Sequence, residues 1–432
     1  MPSSSPFSSM TRLYHLNDSI KNGVAGWGDA ATIIPWTLYH VYGDTAILRD
    51  CYTSMTGWVH YIQSKSPNYL WKARGYGDWY PQGDSTSLPY IDQCYFAHSV
   101  DLLQKSAAVL NKSSDAITYL TLLDSVKTAF LNEYIVNGQT RATSTQTAYA
   151  LALAFDLLPD SLRPNAAAEL ARKIHENNDH LATGFLGTPY LLPVLFHFGY
   201  DSLAFTLLTQ KTLPSWLYPI TKGATTIWEK WDAICSDGSF DTCSLNHYAY
   251  GAVGNFLYRY LTGISPASPG YKKISIHPHV GGGLRWVKAW YVCSYGKIER
   301  SWKVTGKRIK LQIDIPAATS ADVLLPDGSK RAVGWGKHRF VTASPSPCPI
   351  CPKKQKSYDS LKNLVYAEIK NKNYDAVISL TKAMLGKYLE PGLKRRCVKW
   401  CDDFNYANRA LELITGKKEK FKAPPDPAQI QL

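Results

Sequence analysis

The stretches "TAYALALAFDLL" (residues 147–158) and "TPYLLPVLFHFGY" (188–200) have a helical period but are apolar around most of their girth. A helix on an outer surface keeps a polar face, so such segments belong between two layers of helix. Outward from them the same period runs from residue 29 to about 262. It predicts helices over 29–41, 45–63, 91–110, 114–134, 145–157, 161–177, 189–198, 200–210 and 245–261. "SSDAITYLTLLDSVKTAFLNEY" (113–134) offers Ser113 or Ser114 as an N-cap, and Pro159 stands just ahead of the 161–177 segment. Helices alternating with long loops rich in Gly, Pro and aromatics predict a mainly α helical toroid over 26–268. The predicted helices are fewer than a closed (α/α)6 six-hairpin barrel needs, so the toroid is expected to be incomplete at its N-terminal side, with residues 1–25 irregular.

After "GISPASPGY" (263–271) the period falls to two. "KKISIHPHV", "LRWVKAWYVCSY", "GKIERSWKV", "KRIKLQIDIPA" and "SADVLLPDGS" read as successive strands separated by Gly, Pro and Asp-Gly turns. They predict a small antiparallel β-sandwich over 269–342. "SPSPCPICPKK" is a linker by composition, and the rest of 343–432 reads as a helical and disordered basic tail.

The formal charge of +14 resembles a nucleic-acid signature until it is divided along the chain. The tail alone holds 17 Lys and Arg against 9 Asp and Glu, and it carries no nucleic-acid motif. A solvated basic tail is the expectation, with no nucleic-acid partner. Nine cysteines include "CPIC" (348–351) and "CVKWC" (397–401), whose unequal gaps argue against a zinc site and for disulfides or free thiols. No apolar run reaches the ~18 residues of a membrane helix. The opening residues lack the apolar core of a signal peptide, so no membrane partner is expected and the compartment stays open.

Aromatics make up 12% of the chain, with 13 Trp and 28 Tyr, which suits a protein that grips sugar and equally suits a large helical core. Particular loops separate these readings. "GATTIWEKWD" (223–232) sets Glu229 between Trp228 and Trp231, either as a turn anchored by indoles or as a carboxylate in a sugar site. "GWGDAA" (26–31) sets Trp27 beside Asp29, a helix cap or a sugar ligand. "GYGDWY" (75–80) joins Asp78 to Trp79 in a glycine-spaced loop. "PSWLYPI" adds Trp216, and "NHYAYGAVG" puts His247 at the start of the last barrel helix. Acidic and imidazole partners for hydroxyls, indoles for apolar sugar faces, and carboxyl groups for bond cleavage together point to glycoside hydrolysis.

"GWGDAATIIPWTLYHVYGD", "TGFLGTPYLL", "LYPITKGATTIWEKWD", "NHYAYGAVGNFLYRYLTGI" and "PGYKKISIHPHVGGGL" closely resemble the bacterial-type α-L-rhamnosidases, glycoside hydrolase family 78. The resemblance covers about residues 23–342. It implies an (α/α)6 barrel followed by a C-terminal β-sandwich, and an inverting, cofactor-free hydrolysis of terminal α-L-rhamnose from a glycoside or polysaccharide. By motif, Glu229 corresponds to the general base and Asp29 to a sugar-binding carboxylate. His247 corresponds to the histidine near the base, while Trp79 and Trp228 occupy aromatic positions of the pocket.

The chain departs from the family pattern in one respect. The Asp-Cys-Pro-x-Arg-Glu/Asp motif that supplies the general acid does not precede "GWGDAA". Three alternatives stay open: a fragment of a longer chain, a rhamnose-binding pseudoenzyme, or a barrel completed by an N-terminal partner or by self-association. Another six-hairpin glycosidase is the fold-level rival.

Overall fold

The computed structural model describes residues 23–73, 75–136, 139–140, 144–234 and 238–343. The expected irregular N-terminus, up to residue 22, and the basic tail lie outside them.

The apolar stretch 147–158 lies within the helical layers. In α5 (Gln146–Ala154) every residue from Gln146 to Leu153 is buried. Its polar N-terminal turn is not wasted, since Gln146 bonds the loop at His180 and Ala182 through both side-chain atoms. Around it stand α1 (Ala30–Tyr42), α2 (Ala46–Ser64), α3 (Leu88–Val109), α4 (Ser113–Tyr134), α6 (Arg163–Glu176), α7 (Thr188–His197) and α8 (Asp201–Thr209). α3 packs along α4, α1 along α2, and α5 against both α6 and α7. One continuous core joins them, from Met55 and Val59 through Phe96 and Phe130 to Leu195 and Phe205.

Most boundaries fall close to those read from the period, but the end caps differ. α4 starts from Lys112, and neither Ser113 nor Ser114 caps it. The proline at the start of α6 is Pro164, because the chain makes a separate turn between Pro159 and Leu162. The segment expected as one helix over 245–261 is broken. A 3₁₀ turn (Ala249–Ala252), a single α turn α10 (Val253–Phe256) and a π turn (Leu257–Thr262) replace it. A short helix, α9 (Leu217–Thr221), was not visible as a period.

Beyond the small ribbon of β1 (Ile135–Val136) and β2 (Gln139–Thr140), the strands form two four-stranded sheets. One runs β10-β7-β6-β5, from β5 (Trp286–Cys293), β6 (Gly296–Thr305), β7 (Arg308–Ile315) and β10 (Gly336–Ala343). The other runs β3-β4-β8-β9, from β3 (Ile264–Pro266), β4 (Lys273–Ile276), β8 (Ser320–Leu324) and β9 (Lys330–Val333). Inward-facing Ile274, Ile276, Trp302, Leu311 and Val323 close the sandwich. The sheets are antiparallel except for one pair, since β4 runs parallel to β8. Strand β3, together with β9 and β10, extends the sandwich past what the sequence period marked. Leu284 packs against both cores and ties the helical part to the sandwich.

Candidate active site

Three loops meet: residues 75–87 before α3, 180–187 before α7, and the excursion that includes 222–234 and 238–248. Asp78 holds the first two together. Its Oδ1 accepts the N–H groups of Leu186 (2.7 Å) and Gly187 (3.0 Å); its Oδ2 accepts the Gly184 N–H (2.7 Å) and the Thr147 hydroxyl. Burial pushes the Asp78 carboxyl above the usual value against these four bonds, which all favour the ionised form. Asp78 is therefore the clasp of the site, with both carboxylate oxygens engaged, and it also lines the cavity beside Trp79. The same closeness explains Gly184, where a Cβ would lie 2.3 Å from the Trp79 carbonyl oxygen.

Above this clasp the aromatic rings form a chain. Trp27 meets Tyr76 edge-on at 4.9 Å, Tyr76 meets Trp79 at 5.6 Å, and Trp79 meets Tyr80 at 5.3 Å. Tyr80 then contacts Phe185, and Phe185 contacts His247 at 5.1 Å. Trp79 is 38% exposed, enough to offer a face. The cavity beside it, about 390 Å³, is lined by Tyr76, Trp79, Tyr80 and Thr86 among others.

The excursion folds back on itself as a hairpin. Glu229 N–H donates to the Ser244 carbonyl (2.9 Å), His247 N–H to Ile227 (2.8 Å), and Asp241 N–H to Ala233 (2.9 Å). Glu229 is half-buried, and its Oε2 accepts the Ser244 N–H at 2.8 Å while Oε1 accepts no hydrogen bond among the described residues. Lys230, paired with Asp241, lies 5.7 Å over the Tyr80 ring and so anchors the hairpin beside the aromatic chain. Glu229 is close enough that its charge adds to burial in raising the Tyr80 phenol. His247 Nδ1 accepts the Ala249 N–H (3.2 Å), which leaves Nε2 as the protonated ring nitrogen when the imidazole is neutral.

Ring contacts thus connect Trp27 and Trp79 to His247, and Lys230 holds the hairpin that carries Glu229 beside Tyr80. Of the other expected ligands, Trp228, Trp216 and Asp29 are enclosed. Trp228 and Trp231 are 4% and 2% exposed, so the indoles flanking Glu229 grip the core and cannot stack on a sugar. Trp216 donates from Nε1 to the Tyr250 carbonyl (3.0 Å) and meets Trp231 edge-on, again as an anchor. Asp29 is fully enclosed, and its carboxylate caps no helix. It accepts from Gly26 N–H (2.7 Å), Trp58 Nε1–H (2.8 Å) and the Ser99 hydroxyl (2.5 Å). The residues that sequence reasoning passed over are Tyr76, Tyr80, Phe185 and Lys230. The run of aromatics in "GYGDWY" was the available signal for the first two; nothing in the sequence marked Lys230.

The described residues include no group of three potential metal ligands, and no helix among them is long and apolar enough to cross a membrane. The cysteines Cys51, Cys94, Cys243 and Cys293 are free thiols.

Residues 13–261 match the family described as the bacterial alpha-L-rhamnosidase 6 hairpin glycosidase domain, and residues 263–339 match the bacterial alpha-L-rhamnosidase C-terminal domain. An alpha-L-rhamnosidase of Streptomyces avermitilis is 42% identical over 328 residues, covering 75% of this chain and 32% of its own. One from Formosa agariphila is 40% identical, covering 75% and 36% respectively. The crystal structure of the Streptomyces avermitilis enzyme complexed with L-rhamnose superposes with a TM-score of 0.73 at 40% identity, over 76% of this chain and 34% of that one. The Aspergillus terreus α-L-rhamnosidase superposes with a TM-score of 0.73 at 31% identity, over 76% and 40%. The chain spans about a third of the length of the curated relatives it matches.

Proposed function

Because the chain belongs to the bacterial α-L-rhamnosidase family through both its six-hairpin glycosidase domain and its C-terminal domain, we propose that its cleft takes a terminal L-rhamnosyl group and that Glu229 activates the water that displaces it. The observation that carries this reading is the setting of Glu229. One carboxylate oxygen is fixed by the Ser244 N–H and the other accepts no hydrogen bond among the described residues, on a hairpin held beside a wall of rings. A base needs that combination of fixed orientation and a free lone pair.

In this mechanism Trp79 and Trp27 carry the apolar face of the sugar, and His247 donates from Nε2 to a hydroxyl or to the base. Glu229 removes a proton from water on the face opposite the leaving group, so the configuration inverts. Inversion also requires a carboxyl group to protonate the leaving oxygen, typically about 6.5–9.5 Å from the base. Asp29 and Asp78 are both enclosed with both oxygens engaged, and this reading assigns that role to neither.

Proton NMR of the first-formed rhamnose from an aryl α-L-rhamnoside tests the proposal. The β-anomer is expected first, and initial α-anomer would overturn the inverting role of Glu229. A second reading, a rhamnose-binding protein without turnover, is favoured by the enclosure of Asp29 and Asp78. It would be supported by saturable rhamnose binding, lost in Trp79→Ala, with no hydrolysis.

A further inference from the structure

Strand β5 carries a second pair of tryptophans that the cleft does not use. Trp286 and Trp290 are 65% and 54% exposed and stand on the outer face of the sheet, away from the sandwich core. One face of an antiparallel sheet is ordinarily solvated and polar, so two open indoles on it call for an explanation. Four residues apart on one strand, they are spaced on the order of 13 Å.

The register shows what lies between and beside them. Trp290 stands opposite Glu299, which stands opposite Asp314, which stands opposite Lys337. The next outward row is Lys288, Ser301, Gln312 and Arg339; the third is Trp286, Lys303, Lys310 and Val341. Lys297 lies over the Trp290 ring at 5.3 Å and pairs with Glu299. Lys288, Lys303, Lys310 and Arg339 are exposed and make no ion pair among the described residues. The face therefore offers two stacking platforms with unpaired cations between and beside them, on a sheet whose inner side alone holds the fold together.

We propose that this face binds an acidic polysaccharide, with Trp286 and Trp290 stacking on sugar rings and Lys288, Lys303, Lys310 and Arg339 pairing with uronate carboxylates. The choice of a glycan over a nucleic acid rests on the rhamnosidase reading above. Charge excludes two other occupants. A second copy of the same face would set cation against cation, and the tail, with 17 Lys and Arg against 9 Asp and Glu, is itself basic.

The test is binding of polygalacturonate, which contains no rhamnose, to the full chain at low salt, followed by calorimetry or affinity electrophoresis. The wild type is compared with Trp286→Ala/Trp290→Ala, so that both proteins carry the same tail. Binding is expected to weaken about tenfold or more in the double variant, and also in Lys303→Glu/Lys310→Glu. Neutral dextran should not bind, and turnover of a small aryl α-L-rhamnoside should be unchanged. Absence of binding by the wild type, equal binding by the tryptophan variant, or tighter binding of an oligothymidylate of equal charge would each overturn the proposal. Because the probe bypasses the cleft, tryptophan-dependent binding without rhamnoside turnover would uphold this face and reject the catalytic reading alone.

Discussion

Asp29 shows how far a residue's role can lie from its sequence context. "GWGDAA" reads as a cap or a ligand, yet the side chain turns inward to three donors, and burial raises its carboxyl to about 6 against their pull. In the unfolded chain the group titrates near 3.8. Between these values the folded state holds a proton that the unfolded state has released. This group's contribution to stability therefore falls as pH rises from about 4 to 6, and stays low above that. Relative to Asp29→Asn, the wild type should lose about 2 kcal/mol between pH 4.5 and 7, measured as urea midpoints of both proteins. A difference that is flat with pH, or of opposite sign, would show the carboxylate to be ionised throughout. Glu229 was more legible, since the "IWEKWD" context marked it as a residue held in place. Periodicity could not say that the indoles were the buried part, because side-chain direction in this loop follows from the pairing of Glu229 with Ser244 and of Ile227 with His247, partners well separated along the chain.

Among elements, the loops are joined more tightly than the helices suggest. Gly184 passes so close to the 78–79 backbone that any side chain must separate the two loops. Gly184→Ala should cost about 2–3 kcal/mol and reduce rhamnoside turnover together with the melting temperature. An unchanged melting temperature would mean that the loops are not clasped. α4 was readable because it buries one face along its length, through Tyr119, Leu122, Leu123, Val126 and Phe130, and α7 because it is apolar around most of its girth. The last segment was not. Gly251 and Gly254 weaken its helical propensity by about 1 kcal/mol each relative to Ala, and the Thr262 hydroxyl bonds the Tyr258 carbonyl within a π turn. Propensity there is overruled by packing against the sandwich. The parallel β4–β8 pairing was equally illegible, since it joins strands more than forty residues apart, and local period carries no information about partners.

For the whole molecule, the joint between helices and sandwich contains an uncompensated charge. Arg300 is buried; its Nη1 reaches the Leu261 carbonyl only at 3.5 Å, and its Nε and Nη2 have no hydrogen-bond partner among the described residues. Burial lowers its guanidinium to about 9. The neighbouring Trp302 donates to the Leu261 carbonyl at 3.0 Å, so the joint already has a well-formed bond. Arg300→Met should stabilise the fold by about 1–3 kcal/mol at pH 7, with a gain that shrinks above pH 9 as the arginine is relieved of its proton. A lower urea midpoint in the variant would mean that the guanidinium has a partner in solution. The two-part architecture itself was legible from the change of period near residue 263, because apolar residues every third or fourth position and every second position cannot serve the same packing.

Turnover of an aryl α-L-rhamnoside with a good leaving group, by wild type and by Glu229→Gln, decides whether Glu229 acts as the base. Such a leaving group needs little protonation, so the base alone limits the rate. The account predicts hydrolysis by the wild type and a loss of about 10²–10⁴-fold in the variant, with the melting temperature retained. Equal rates in the two proteins would contradict it.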